Sequence, residues 1–375
     1  MSETSAAYNE HCLPLSVEYD IAICTYAKSQ SSLFIPKEIK VFEGDAPLPL
    51  RNLFDLLRGT SFFRALKAAL ADKEYDIIHV HSPHVGFLFL VATMFRRGKE
   101  VPTILSTVHD SYPNFKLRNK LLLLPMFARF DRVVCCSSAS YKSFPRLYKW
   151  LAGDRLCTVP NGLDIERIDN LFSHAQKFRR NNNFTVTSVG RLIEIKNPLA
   201  IIGAFQQSAD PSSRLVFIGE GPLYDVLLKE AGALGLSDRI ELTGLIPRNQ
   251  VFQELRQTDL FISASLGEGL PVAVLEAMAC RCPVLLSAIE PHREISAGTD
   301  FIPLIQPDDV AGFAREINRF REMSVADRAK IGERCRRHVE DRFSLSAMHK
   351  GYAEIYSQLV NEKAVIHRRS SVQGG

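Results

Sequence analysis

Apolar runs of strand length alternate with helical patterns along almost the whole chain, and few folds accept that order. In the first half the runs are YDIAICTY, YDIIHVH, TILSTVH and RVVCCS, with the amphipathic RNLFDLLRGTSFFRALKAALA between the first two. In the second half they are FTVTSVG, SRLVFIG, RIELTG, DLFISAS, CPVLLS and DFIPLI, separated by helix-like stretches. Near-continuous apolar strands belong to sheets covered on both faces, and helices between successive strands supply that cover as parallel crossovers. The expected class is α/β with two doubly wound parallel sheets, because 375 residues at 46% hydrophobic content can fill two cores of ordinary size. Pro160, Asn161 and Gly162 punctuate the chain in LCTVPNGLDIERI and mark the boundary.

Doubly wound sheets place their chemistry at strand ends. After DLFISAS comes SLGEGLPVAVLEAMA, where Glu268 and Glu276 stand in a frame of Gly267, Gly269 and Pro271. Pro271 suits the first turn of a helix, where its missing N–H costs nothing. The glycines let another molecule approach the backbone, and a helix N-terminus is an anion site suited to phosphate. Glu276 then lies about 7 to 8 Å along the helix axis from Pro271, while Glu268 stays in the loop. Such carboxylates can bracket a nucleoside diphosphate sugar, which carries hydroxyl-bearing rings at both ends of a pyrophosphate. A bare pair of glutamates is more often two solvated side chains, so the neighbouring loops decide the matter. VTSVGRLIEIKNP offers Arg191 for forked hydrogen bonds to phosphate and Lys196 as a mobile charge, with Asn197 and Pro198 as N-cap and first helical residue. LVFIGEGPL brings Gly219 and Gly221 to the next strand end, and TGLIP brings Gly244.

Together these segments resemble the retaining GT4 glycosyltransferases. Their SxxEGxxxxxxEAMAxxxPV pattern is matched at Ser265, Glu268, Gly269, Glu276, Ala277, Met278, Pro283 and Val284, and VGRL…KNP resembles their diphosphate-binding element. The resemblance implies the GT-B architecture, two Rossmann-like domains facing across a ligand-binding cleft. Residues 1–160 would form the acceptor-side domain and 161–341 the nucleotide-sugar domain, with a helix over 342–362 crossing back and a disordered tail over 363–375. It also implies sugar transfer with retention from a UDP- or GDP-sugar to a saccharide or lipid-linked saccharide, with no metal or other cofactor. Arg191, Lys196, Gly219, Gly221, Gly244, Gly269, Leu270 and Glu276 would bind the donor, Gly244 against the base and Glu276 on the ribose. Glu268 would fix the sugar hydroxyls, and His109 in TVHD would contact the sugar near the reacting carbon. Family members open with a strand, a Gly-rich loop and a helix that MSETSAAYNEHCLPLSVE does not supply. A truncated, weakly active or non-catalytic subunit is therefore the alternative, ahead of a GT-B nucleotide-sugar epimerase.

Other classes are poorly supported. The 46 Lys and Arg against 42 Asp and Glu leave a small basic excess, all of it within residues 1–164 (20 against 16), and no nucleic-acid motif accompanies it. The eight cysteines have no paired C-x2-C spacing, which argues against a zinc site or a disulfide framework. No GxGxxG fingerprint of a nicotinamide enzyme and no D-x-D metal-binding pair occurs. His79, His81 and His84 have the look of metal ligands, but the resemblance implies no metal. No signal peptide or membrane-spanning stretch is legible, so the chain is expected in the cytoplasm. The basic, apolar segment from Met94 to Arg132, containing LLLLPMF, fits either peripheral contact with an anionic membrane or a buried helix with solvated flanking charges.

Overall fold

A computed structural model describes residues 22–25, 40–43, 60–93, 102–172, 183–208 and 210–372. Residues 1–21, on which the expectation of a missing opening rests, lie outside them. Two compact units emerge, one made of residues 1–136, 140–160 and 346–375, the other of 137–139 and 161–345.

In the first unit β1 (Ala22–Thr25) pairs in parallel with β2 (Lys40–Glu43), and α1 (Thr60–Asp72) packs against both. A four-stranded parallel sheet follows, built from β3 (Ile77–Val80), β4 (Thr103–Val108), β5 (Arg132–Cys135) and β6 (Leu156–Thr158) in chain order. Every residue of β4 is buried, Thr103, Ser106 and Thr107 with its apolar residues, as a strand covered on both faces requires. The connections carry α2 (Pro83–Thr93), α3 (Leu117–Arg129), α4 (Ser138–Ser143) and α5 (Arg146–Ala152). Because the strands advance in one direction, right-handed crossovers put these helices on one face of the sheet. Leu88, Phe89, Leu123, Met126, Phe127, Phe130 and Tyr148 form the core beneath them. A Cβ on Gly86 would collide with the Met126 thioether, so glycine lets α2 and α3 approach closely. Residues 94–101 of the basic, apolar segment lie outside the described residues. Within LLLLPMF, Leu123, Met126 and Phe127 are core, as the buried-helix alternative for this segment has it, because the helical period turns one side of α3 inward.

The second unit begins with α6 (Ile165–Phe172) and holds a six-stranded parallel sheet. Its strands are β7 (Thr185–Val189), β8 (Arg214–Ile218), β9 (Ile240–Leu242), β10 (Leu260–Ser263), β11 (Val284–Ser287) and β12 (Leu304–Ile305), ordered β12-β11-β10-β7-β8-β9. The chain steps outward from β7 to β9, then returns to place β10 on the other side of β7. That reversal makes a topological switch point at the carboxyl ends of β7 and β10, where such sheets bind ligands. The helices are α7 (Pro198–Gln207), α8 (Tyr224–Ala233), α9 (Arg248–Gln257), α10 (Val272–Ala279), α11 (Glu290–Ser296), α12 (Val310–Glu322) and α13 (Val325–Arg342). Val186, Phe205, Leu215, Phe217, Leu260, Ile262, Leu285 and Phe313 fill the core. Buried Arg336 of α13 ties the end of α10 to α6 through the Ala279 carbonyl at 2.8 Å and Asp169 at 2.6 Å.

The last helix, α14 (Leu345–Val372), runs well past the expected end at residue 362. The stretch expected as a tail is helical to Val372, because no proline or glycine after Gly351 interrupts the pattern before Gly374. From residue 346 this helix belongs to the first unit, where Met348, Tyr352 and Leu359 are buried. Among the described residues no helix is long and apolar enough to cross a membrane. The described cysteines form no disulfide, and burial pushes the Cys135 and Cys335 thiols up to about 12, so these two do not serve as thiolates at neutral pH.

Candidate functional site

The loops leaving β7, β8 and β9 are stitched together through backbone groups. Gly190 N–H donates to the Ile218 carbonyl at 3.0 Å, Leu192 N–H to Glu220 at 2.9 Å, and Gly219 N–H to Gly244 at 3.0 Å. A Cβ on Gly219 would strike the Gly190 carbonyl oxygen, and one on Gly221 would strike that of Leu192. Both glycines thus allow neighbouring loops to touch. Gly244 has φ +67°, a left-handed conformation that favours glycine.

At the switch point the β7 and β10 loops meet directly. Leu266 N–H donates to the Ile195 carbonyl at 2.8 Å, and beside that bond Lys196 Nζ reaches both oxygens of Glu268, at 2.8 and 2.7 Å. Ser265 Oγ donates to Glu268 Oε1 at 2.7 Å, and Ser287 Oγ in turn donates to the Ser265 carbonyl at 2.6 Å. Glu268 is buried, and a buried carboxylate needs such partners to stay charged. Arg191, on the same loop as Lys196, is exposed and makes no side-chain hydrogen bond or ion pair to another described residue. Asn197 occupies the N-cap position of α7, but its side chain does not cap; Nδ2 donates to the Pro307 carbonyl at 3.0 Å.

Gly269 and Leu270 are buried just ahead of α10. Pro271 is the N-cap of that helix, one position earlier than the first-turn placement expected from sequence. The first amides of any helix lack intrahelical acceptors, and their dipole favours an anion. Glu276 lies on α10, buried and ion-paired with Arg248 at the start of α9. Burial pushes the Glu276 carboxyl above its ordinary range, while Arg248 and then Arg167 pull it back. Sequence reasoning missed Arg248. Its signal lay in IPRNQ, a cation leaving the loop after Gly244 just as Arg191 leaves the loop after Gly190.

In the first unit the ends of β3 and β4 lie side by side, with His79 paired to Leu105 and Val80 to Ser106. His79, on β3, and His81, just past its end, stack at 4.0 Å between ring centroids. His81 Nδ1 lies 3.0 Å from His109 Nε2, a hydrogen bond in which one ring donates and the other accepts. His79 Nδ1 meets the Tyr356 hydroxyl at 2.8 Å and its Nε2 meets Thr107 Oγ1 at 2.7 Å; Thr107 also bonds the Tyr352 hydroxyl at 2.8 Å. Burial, reinforced by His109, lowers His79 to about 3, and burial lowers His109 to about 4. Both rings are therefore neutral at pH 7. His81, Ser106, Thr107, His109, Asp110 and Met126 help to line a pocket of about 70 Å³. Among the described residues no three His, Cys, Asp or Glu side chains gather as a metal-binding group. Of the histidines that resembled ligands, His79 and His81 are joined by stacking, and His81 is joined to His109 by a hydrogen bond.

Comparison with known proteins agrees with this arrangement of sheets and loops. Residues 19–167 match the model of Glycosyltransferase Family 4 and residues 169–338 that of Glycosyl transferases group 1. The chain is 25% identical over 363 residues to the UDP-Gal:alpha-D-GlcNAc-diphosphoundecaprenol alpha-1,3-galactosyltransferase of Escherichia coli, covering 92% of this chain and 91% of that protein. It is 25% identical over 284 residues to the GDP-mannose:cellobiosyl-diphosphopolyprenol alpha-mannosyltransferase of Xanthomonas campestris, covering 72% and 71%. Among solved structures, Anabaena HepE in complex with UDP-glucose superposes with a TM-score of 0.78 at 19% identity, covering 96% of each chain, a likeness of fold.

Proposed function

Because the chain belongs to the group 1 glycosyltransferases, of family 4 and GT-B fold, we propose that it moves a sugar from a nucleoside diphosphate donor to a hydroxyl of a lipid-linked saccharide, with retention. The observation that carries this reading is the cluster at the β7 and β10 strand ends, where exposed Arg191, the Lys196–Glu268 pair and the start of α10 converge. The leaving group is a diphosphate whose charge grows as the glycosidic bond breaks. Arg191 would grip its oxygens, the α10 amides would face it, and Lys196 would be shared between phosphate and Glu268. Fixed donors of this kind are each worth about 3 to 4 kcal/mol at the transition state, enough for the protein's own cations to serve where other enzymes use a metal. Lys196 partly released by phosphate frees Glu268 to accept from a sugar hydroxyl. Glu276 holds the ribose hydroxyls with Arg248 beside it, and the Gly244 loop supports the base. The polyprenyl diphosphate-linked acceptors of the two bacterial relatives support an acceptor of the same kind and a peripheral place at the cytoplasmic membrane face.

Thermal shift against UDP- and GDP-sugars, followed by product analysis with the best donor, tests the reading. A new α-glycoside is expected; an isomerised nucleotide sugar, or no stabilisation by any donor, would contradict it.

A further inference from the structure

The helical layer of the first unit leaves large apolar side chains in water. Leu117 and Leu121, one turn apart on α3, are 73% and 57% exposed; Leu147 and Trp150 on α5 are 53% and 78% exposed. On each helix it is the opposite side that enters the core, through Leu123, Met126 and Phe127 on α3 and Tyr148 and Ala152 on α5. The two helices pack side by side, with the Tyr148 hydroxyl donating to the Lys120 carbonyl at 2.8 Å. Since both cover the same face of the sheet, their outward sides look the same way.

Charge says what fits there. The helices α2 to α5 carry Arg118, Lys120, Arg129, Lys142, Arg146 and Lys149 and not one Asp or Glu. An ordinary solvated layer mixes both signs. We propose that the outward face of α3 and α5 docks on a bilayer of anionic phospholipid, with Trp150, Leu147, Leu117 and Leu121 at headgroup depth and the basic side chains on the phosphates. The location includes α5, which the sequence reading of residues 94–132 did not reach. The purpose of the surface, presenting the enzyme to a lipid-linked acceptor, rests on the proposed function; the binding itself does not.

The chain's single tryptophan is Trp150, so its fluorescence reports docking directly. The full chain is titrated with phosphatidylcholine vesicles and with vesicles containing one quarter phosphatidylglycerol, at low and at high salt, with co-sedimentation in parallel. Expected are a blue shift and at least about tenfold stronger binding to the anionic vesicles, weakened by salt as screening demands. Leu117→Glu/Leu121→Glu should reduce that binding about tenfold or more with unchanged circular dichroism, since both positions are already in water. No lipid-dependent shift, equal binding to neutral vesicles, or a blue-shifted dimer formed without lipid would overturn the proposal. Sugar transfer to a water-soluble acceptor, measured on the same preparation, separates the two readings. Transfer without vesicle binding sinks the docking face alone, and vesicle binding without transfer sinks the transferase reading alone.

Discussion

Lys196 grips both carboxylate oxygens of Glu268 across the switch point of the second sheet, at 2.8 and 2.7 Å. The pair joins the loop of the diphosphate element to the loop of the two-glutamate element, so each residue holds the other in place before any donor arrives. Glu268→Gln keeps the shape of the side chain and removes its charge. It should lower kcat by about 10- to 150-fold, because a charged hydrogen-bonding group is worth about 1.5 to 3 kcal/mol, with a smaller change in donor affinity. Steady-state kinetics against donor concentration checks this, and wild-type turnover would remove the role.

Arg248 and Glu276 form the second buried pair, and it changes what Glu276→Ala reports. From sequence, Glu276 reads as a ligand-facing side chain whose loss spares the fold. In the structure its removal leaves Arg248 half-buried without its carboxylate. Arg248→Ala should destabilise the second unit by about 3 kcal/mol, the cost of stranding a buried charge, and Glu276→Gln combined with Arg248→Met should recover much of that. Urea denaturation of the three variants measures it; equal stability of Arg248→Ala and wild type would contradict the pairing.

Acid should destabilise both units before the carboxylates titrate. Burial lowers His79 to about 3, His109 to about 4 and His292 to about 4, whereas their ordinary value is 6.5. Below pH 6.5 the unfolded chain binds protons that the folded chain refuses, so stability is full above that pH and falls as pH drops toward 4. Each such group contributes a slope of at most about 1.4 kcal/mol per pH unit. Unfolding midpoints at pH 7.5, 6 and 5 should decline steadily below 6.5; a flat profile would contradict neutral buried rings.

Much of this was legible because it is local. The alternation of apolar runs revealed the parallel sheets, and the glycine-framed loops revealed the strand ends that carry Arg191, Lys196 and Glu268. What stayed hidden depends on distant parts of the chain. The Tyr352 and Tyr356 hydroxyls reach Thr107 and His79 from the last helix, so the histidines near β3 looked like metal ligands when read alone. LLLLPMF left membrane contact and burial both open because composition carries no direction; in the structure one side of the helix fills the core and only Leu121 of the run is exposed. Arg248 could be placed on Glu276 only once the β9 and β10 loops were known to converge.

On the proposed function, in which Arg191, Lys196 and the α10 amides would balance the diphosphate charge, activity should persist in EDTA. Transfer assays with and without chelator, and with added magnesium, check it; loss in EDTA with rescue by magnesium would contradict a metal-independent site.

The most direct test of the account is calorimetric binding of UDP and GDP to the wild-type chain and to Arg191→Ala/Lys196→Ala, with circular dichroism as a fold control. One of the two nucleotides should bind the wild type and bind the double variant about 100-fold or more weakly, as the loss of two charged donors predicts. Equal affinity in both proteins, or no binding of either nucleotide to the wild type, would contradict a diphosphate site at the ends of β7 and β10.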